Sequence, residues 1–267
     1  MRRILVSVVV LLLVSLTPVW AEVLSLDYEG RPILLDQPDG SAGKSLPLIV
    51  VLHGASLSGN AMLRSLPLLE AAPIQNFRVA YLNSTQFTSD KGREVRAWND
   101  GVCCGTGIRP DADDSAYVAD AIGYFRAQGL TGGRDMVALV GHSNGAQMGY
   151  RLACEHGNLF ASLVAISGAI AERNCSGTSG LRVLNINGTA DERYPVAGGR
   201  SAFNQKITHD SIEGAQNAIQ SEGASTEQIL VQGAGHSIAS LDGELRAAGK
   251  PGLATTVLNF IFARTSN

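Results

Sequence analysis

Met136-Val137-Ala138-Leu139-Val140-Gly141-His142-Ser143-Asn144-Gly145-Ala146-Gln147-Met148-Gly149-Tyr150-Arg151-Leu152-Ala153 is the stretch whose reading decides the fold. An apolar run leads into Gly-His-Ser-Asn-Gly, and a helix-like segment leaves it. The pattern predicts a strand, a sharp turn and a helix with Ser143 at the apex. A serine held there lifts its hydroxyl above the sheet edge, and the following helix aims backbone N–H groups at the same point. The flanking glycines let strand and helix approach more closely than side chains would permit. A chain this rich in glycine and serine would produce G-x-S-x-G by chance about 0.3 times, so the rest of the sequence decides what the turn means.

Working outward, residues 48–52, 78–82, 137–140, 162–167, 181–186 and 228–231 read as short apolar strands, most of them buried on both faces. Residues 23–35 alternate loosely around Glu29-Gly30 and read as an edge hairpin. Helices are expected over 60–72, with a kink or break at Pro67, and behind Asp113-Asp114, where Tyr117, Val118, Ala121, Ile122 and Phe125 recur at helical spacing. Two more are expected over 211–221 and 255–263, while 83–110 reads as a long strand-poor stretch. Strands alternating with helices predict an α/β fold with a mostly parallel central sheet and helices on both faces. In such sheets, sites gather at the C-terminal ends of the strands.

The chain has 267 residues, is 45% hydrophobic and 17% charged, and carries a net charge of −3. That length suits one large domain, and the charge gives no electrostatic case for nucleic acid. The first residues read as an export signal. Arg2-Arg3 precede an apolar segment over residues 4–16, Pro18 breaks it, and Val19-Trp20-Ala21 forms a small-residue cleavage site. The expected organisation is a signal peptide over 1–21 and a single catalytic domain over 22–267. The mature protein is then secreted or periplasmic and does not associate with the membrane after cleavage. Oligomeric state is not legible in the sequence.

Four cysteines, Cys103, Cys104, Cys154 and Cys175, fit an oxidising compartment. A bridge between the adjacent Cys103 and Cys104 would be strained. Each is therefore expected to reach across to Cys154 or Cys175. The spacing lacks a C-x-x-C pair, and no metal site is expected.

A serine hydroxyl is a weak nucleophile at neutral pH and needs a base within hydrogen-bond reach. His236, after the strand exit Val231-Gln232-Gly233-Ala234-Gly235, is the expected base, with His209 as its rival. The base needs an acceptor that fixes its tautomer. Asp191, after Asn187-Gly188-Thr189-Ala190, is the expected one, with Asp210 as rival. The order Ser143, Asp191, His236 is the Ser…Asp…His order of α/β-hydrolases. A tetrahedral intermediate needs two donors, expected to be the backbone N–H groups of Asn144 and of Ala55, which follows the His53-Gly54 pair. His53 and Trp98 are candidate substrate-binding residues; Trp98 either lines an acyl pocket or packs beneath the disulfides.

The segments Leu52-His53-Gly54, Trp98-Asn99-Asp100-Gly101-Val102-Cys103-Cys104-Gly105, Gly141-His142-Ser143-Asn144-Gly145, Leu152-Ala153-Cys154-Glu155, Asn187-Gly188-Thr189-Ala190-Asp191 and Gly235-His236 occur in this order. Together they resemble the polyhydroxybutyrate depolymerase and feruloyl esterase-like family of secreted α/β-hydrolases. The resemblance runs from about Pro47 to His236. It implies hydrolysis of a small-molecule or polymeric carboxylic ester without a cofactor, with Ser143 as nucleophile, Asp191 as orienting acid and His236 as base. Two positions depart from the family's pattern. Ala55 stands where many members have cysteine, and His236-Ser237-Ile238-Ala239-Ser240 lacks the tryptophan that depolymerase-like members often carry. Two competing expectations are a secreted serine peptidase of the same fold and a non-catalytic binding protein on a hydrolase scaffold.

Overall fold

The computed structural model of the chain describes residues 21–89, 92–101, 112–169, 175, 177–201 and 208–263. Residues 1–20, which carry nearly all of the expected signal peptide, lie outside the described residues, as do Cys103 and Cys104.

An antiparallel hairpin opens the described chain: β1 (Ala21–Tyr28) pairs with β2 (Arg31–Pro38), turning at Glu29 and Gly30, both at positive φ. β3 (Leu48–Leu52) follows, every residue of it buried. The next helical segment is split, α1 (Gly59–Ser65) and α2 (Leu68–Ala71), with Pro67 at the N-cap of the second. Proline has no N–H for the helical ladder, so the break falls where the sequence puts it. β4 (Arg78–Leu82) comes next, and then a small hairpin, β5 (Gln86–Thr88) with β6 (Glu94–Arg96), inside the stretch read as strand-poor.

α3 (Asp114–Ala127) is capped by the Asp113 carboxylate, which accepts from the Ala116 N–H. β7 (Val137–His142) and α4 (Asn144–His156) flank Ser143. β8 (Ser162–Ile166), β9 (Arg182–Gly188), the short β10 (Gly199–Arg200) and β11 (Thr208–His209), α5 (Ile212–Gln220) and β12 (Ser225–Val231) lead to α6 (Ile238–Ala247) and α7 (Leu253–Phe262). Helix α6 was not expected. Its buried Ile238, Leu241 and Leu245 have helical spacing and Ser237 caps it, but Gly243 in its middle weakens the sequence signal.

The main sheet has the order β1-β2-β4-β3-β7-β8-β9-β12, and from β4 to β12 every pairing is parallel. Alternate residues feed two cores. Leu48, Val50 and Leu52 pack with Leu139, Leu163 and Val183 beneath α3, α4 and α5. Ile49 and Val51 pack with Val140, Ile166 and Ile186 beneath α1, α2, α6 and α7. Helices covering both faces leave each central strand no solvent side, which is why the strands read as continuous apolar runs. No helix among the described residues is long and apolar enough to cross a membrane.

Cys154 is bonded to Cys175, with Cα atoms 4.1 Å apart. This corrects the expectation that each would take one member of the adjacent cysteine pair. The cause lies in the backbone: a Cβ on Gly157 would fall 2.1 Å from the Gly177 oxygen, and one on Gly177 would fall 2.7 Å from the Cys154 oxygen. The returning chain therefore lies directly on the end of α4 and delivers Cys175 to Cys154.

Candidate active site

Ser143 sits between β7 and α4 at φ 56°, ψ −121°. A non-glycine residue there carries backbone strain on the order of 1–3 kcal/mol, sustained only where the surroundings over-determine it. Here two glycines permit the surroundings to close in. A Cβ on Gly141 would fall 2.2 Å from the Gly145 oxygen, and a Cβ on Gly145 would fall 2.3 Å from the Leu52 oxygen. The turn thus presses against its own helix and against the end of β3, and the serine side chain is pushed out above the sheet.

Asp191 follows β9 and His236 follows β12, the next strand over. His236 Nε2 lies 2.9 Å from Ser143 Oγ, and His236 Nδ1 lies 2.8 Å from Asp191 Oδ2. A carboxylate only accepts, so Nδ1 carries the proton and Nε2 offers its lone pair to the serine hydroxyl. The second Asp191 oxygen accepts from the backbone N–H groups of Arg193 (2.8 Å) and Tyr194 (3.0 Å). Burial alone would raise the Asp191 pKa; the hydrogen bond and charge of His236, with these two N–H donors, outweigh it and hold the carboxyl below its ordinary range.

Asn144 opens α4, so its N–H is one of the helix's unpaired first donors at the positive end of the dipole. Its side chain is fully engaged: Oδ1 accepts from the Trp98 N–H at 2.7 Å, and Nδ2 donates to the Trp98 oxygen and to Asp100 Oδ2. The loop after β3 meets it from the other side. A Cβ on Gly54 would stand 3.3 Å from Ser143 Cβ, and the Leu57 N–H closes a turn onto the Gly54 oxygen at 3.0 Å. Ala55 lies within that turn, beside the serine.

His53 and Trp98 are placed differently from the substrate-binding role expected of them. Both are wholly buried. His53 Nε2 accepts from the Ser84 N–H at 3.1 Å, so Nδ1 bears the proton and donates to the Gly54 oxygen at 2.8 Å. Burial pushes the ring's pKa down to about 4. The Trp98 indole N–H donates to the His53 oxygen at 2.9 Å. The pair fastens the Ala55 loop to its neighbours from beneath; neither ring has surface to offer a substrate.

The rival base, His209, packs its ring on Tyr194 with centroids 4.3 Å apart and makes no hydrogen bond to Ser143. His142 Nε2 donates to the His236 carbonyl oxygen at 3.0 Å, which ties the His236 main chain to the strand that carries Ser143. The sequence reads Tyr194-Pro195 as shaping the Asp191 loop, but it gives no sign of this tie, of Gln147, or of the bond the Tyr194 hydroxyl donates to Gln147 Oε1 at 2.5 Å. Pattern and spacing hold no signal for a contact between a loop tyrosine and a helix glutamine that are far apart in the chain.

No protein-family model matches this chain. Over 158 residues it is 31% identical to NocK of Nocardia uniformis subsp. tsuyamanensis, a protein that bears an esterase name; the match takes in 57% of this chain and 42% of that one. The chain thus spans less than half the length of the curated relative it matches. Among solved structures it is similar to a carboxylesterase from Mesorhizobium loti (TM-score 0.59, 18% identity, 85% of this chain and 99% of the other). It is also similar to TT1662 from Thermus thermophilus (TM-score 0.62, 17% identity, 92% and 100%) and to esterase PE8 (TM-score 0.58, 20% identity, 86% and 98%). Likeness at this level of identity, together with the parallel sheet and its strand order, establishes that the chain has the α/β-hydrolase fold.

Proposed function

We propose that the chain is an exported serine esterase that hydrolyses carboxylic esters through an acyl-enzyme. Ser143 is the nucleophile, His236 the general base and acid, and Asp191 the group that orients the imidazole and stabilises its protonated form. His236 Nε2 takes the Ser143 proton as Oγ attacks the ester carbonyl. The backbone N–H groups of Asn144 and Ala55 receive the negative charge that develops on the carbonyl oxygen. His236 then protonates the departing alcohol, activates a water by the reverse transfer, and the acid leaves.

The observation that carries this reading is the unbroken line from Asp191 through His236 to Ser143, at 2.8 Å and 2.9 Å, ending on a serine held at positive φ. The esterase name of NocK and the carboxylesterases among the structural neighbours support the ester as substrate. The ordered motifs favour an ester of the feruloyl, acetyl-polysaccharide or hydroxyalkanoate kind. Arg2-Arg3 and the apolar segment behind them, with the Cys154–Cys175 bridge, support export.

The test is a serine-directed fluorophosphonate on the folded protein and on Ser143→Ala, alongside turnover of a short aryl ester. Labelling and turnover in the native chain, with both lost in the variant, are expected. Undiminished turnover by Ser143→Ala would overturn the assignment.

A further inference from the structure

Tyr194 contacts Asp191, His236 and the helix that follows Ser143. Its backbone N–H donates to Asp191 Oδ1 at 3.0 Å. Its ring lies nearly parallel to the His236 imidazole, 9° apart in plane with centroids 5.6 Å apart. Its hydroxyl donates to Oε1 of Gln147, a residue of the first turns of the nucleophile helix that is itself buried. The His209 ring packs on the same phenol, and only 5% of Tyr194 is exposed.

The need for such a residue follows from the topology. Ser143 and the Ala55 loop stand on β7 and β3, neighbours in the middle of the sheet. The base stands beyond β12, the outermost strand, whose residues are mostly exposed or half-buried. Loops on a sheet edge open more easily than the central strands. Transfer between Oγ and Nε2 needs heavy atoms held near hydrogen-bond distance. A link from the acid-and-base loops to the nucleophile helix would supply that hold, and the Tyr194–Gln147 hydrogen bond makes it.

We infer that Tyr194 is a positioning residue, clamping Asp191 and His236 onto the nucleophile helix through its ring and its bond to Gln147. The inference rests on the esterase reading above. The phenol is no proton donor to substrate in this scheme. Its own pKa is raised, first by burial and then by the charges of Asp100 and Asp191, which outweigh the opposing hydrogen bond with Ser143, so the phenol stays neutral and keeps the proton it donates to Gln147.

The experiment uses the full mature chain, a short aryl ester and four variants: Tyr194→Phe, Gln147→Met, the two combined, and Tyr194→Leu. Tyr194→Phe keeps the ring on His236 and removes the hydroxyl, with its bond to Gln147 and its contact with Ser143. Phe and Met singly are each expected to lower kcat about tenfold with KM within about twofold, and the double variant no further, since both cut one bond. Tyr194→Leu, which loses the ring as well, is expected to fall about 100-fold, part of which the Phe variant restores. Thermal melts confirm folding; if Tyr194→Leu does not fold, the Phe–Met cycle alone decides. Native kcat in Tyr194→Phe, additive losses in the double variant, or losses confined to KM would overturn the clamp. Ser143→Ala is run beside them. If it retains turnover, the esterase reading falls; if it is dead while the Tyr194 variants are unimpaired, only the clamp falls.

Discussion

Gly145→Ala adds a single methyl where the Ser143 turn presses against the end of β3. That Cβ would stand 2.3 Å from the Leu52 oxygen, 2.6 Å from the His53 oxygen and 2.7 Å from the Leu52 carbonyl carbon. Ordinary contact begins at 3.4 Å, so about 1 Å must be found between α4 and the end of β3. The obstacles are backbone atoms, and β3 is locked by parallel ladders to β4 on one side and β7 on the other. The helix start therefore gives way, carrying Ser143 and the Asn144 N–H with it. An added 1 Å stretches the Ser143–His236 contact of 2.9 Å beyond hydrogen-bond range. The expected cost is about 2–3 kcal/mol of stability from overpacking and about 100-fold in kcat from misplacement. Urea unfolding followed by circular dichroism reads the first, and hydrolysis of a short aryl ester the second. Gly149→Ala in the same helix is the comparison: its Cβ meets Leu163 Cδ1 at 2.7 Å, the end of a side chain that can turn aside. It should cost less than about 1.5 kcal/mol and leave kcat within about threefold. A Gly145→Ala protein with native midpoint and native kcat would refute the argument that close backbone approach is what this position requires.

Gly123 lies in α3, exposed, with nothing within 4 Å of its would-be Cβ, so Gly123→Ala should stabilise by about 0.5–1 kcal/mol, read as a raised urea midpoint at unchanged m. Asp36 is buried with Oδ1 unpartnered; burial, and then the charge of Glu70, lifts its pKa from 3.8 to about 6. A carboxyl raised on folding binds its proton more tightly in the native state, so stability declines as pH climbs from about 4 to about 6 and stays lower above. Asp36→Asn should therefore match the native protein in thermal melts at pH 4 and exceed it by about 1–2 kcal/mol at pH 8. The reverse order would show that the ionised form is the favoured one. Replacing Cys154 and Cys175 together by alanine opens a closure spanning 21 residues and should cost about 3 kcal/mol, an effect that dithiothreitol reproduces in the native protein and not in the variant.

The strand framework was legible because strands covered on both faces leave only apolar residues to choose from; 48–52 and 137–140 could be read from composition alone. The place of the triad candidates was legible for a related reason: a parallel sheet sends every strand exit to one edge, so residues remote in sequence converge without any local signal. What the sequence hid has two causes. Helix α6 breaks the propensity pattern with Gly243, and its register emerges only from burial of Ile238, Leu241 and Leu245. The tasks of His53 and Trp98 are set by hydrogen bonds to chain segments far away, Ser84 for one and the His53 carbonyl for the other. Residue type suggested a binding face; the partners make both residues supports. The disulfide expectation failed likewise, because the glycines at 157 and 177 that bring Cys175 to α4 act through backbone contact.

The site behaves as two bodies. One is central: the β7–α4 turn with the Ala55 loop, fastened by Asn144 to the Trp98 backbone and by His53 to Ser84. The other joins Asp191 to His236. The Ala190 N–H donates to the Ala234 oxygen at 2.9 Å, the Gly233 N–H donates to Thr189 Oγ1 at 2.9 Å, and a Cβ on Gly188 would lie 2.1 Å from the Ala234 oxygen. These contacts bind the loops after β9 and β12 into one piece, which explains how the Asp191–His236 bond survives on a sheet edge. Side-chain bonds between the two bodies include Ser143 to His236, His142 to the His236 carbonyl, and Tyr194 to Gln147. The first must break and re-form during each proposed turnover, so the other two have to maintain the register. Loosening either should therefore show in kcat before it shows in the melting temperature, the opposite of what a cavity in either core would do.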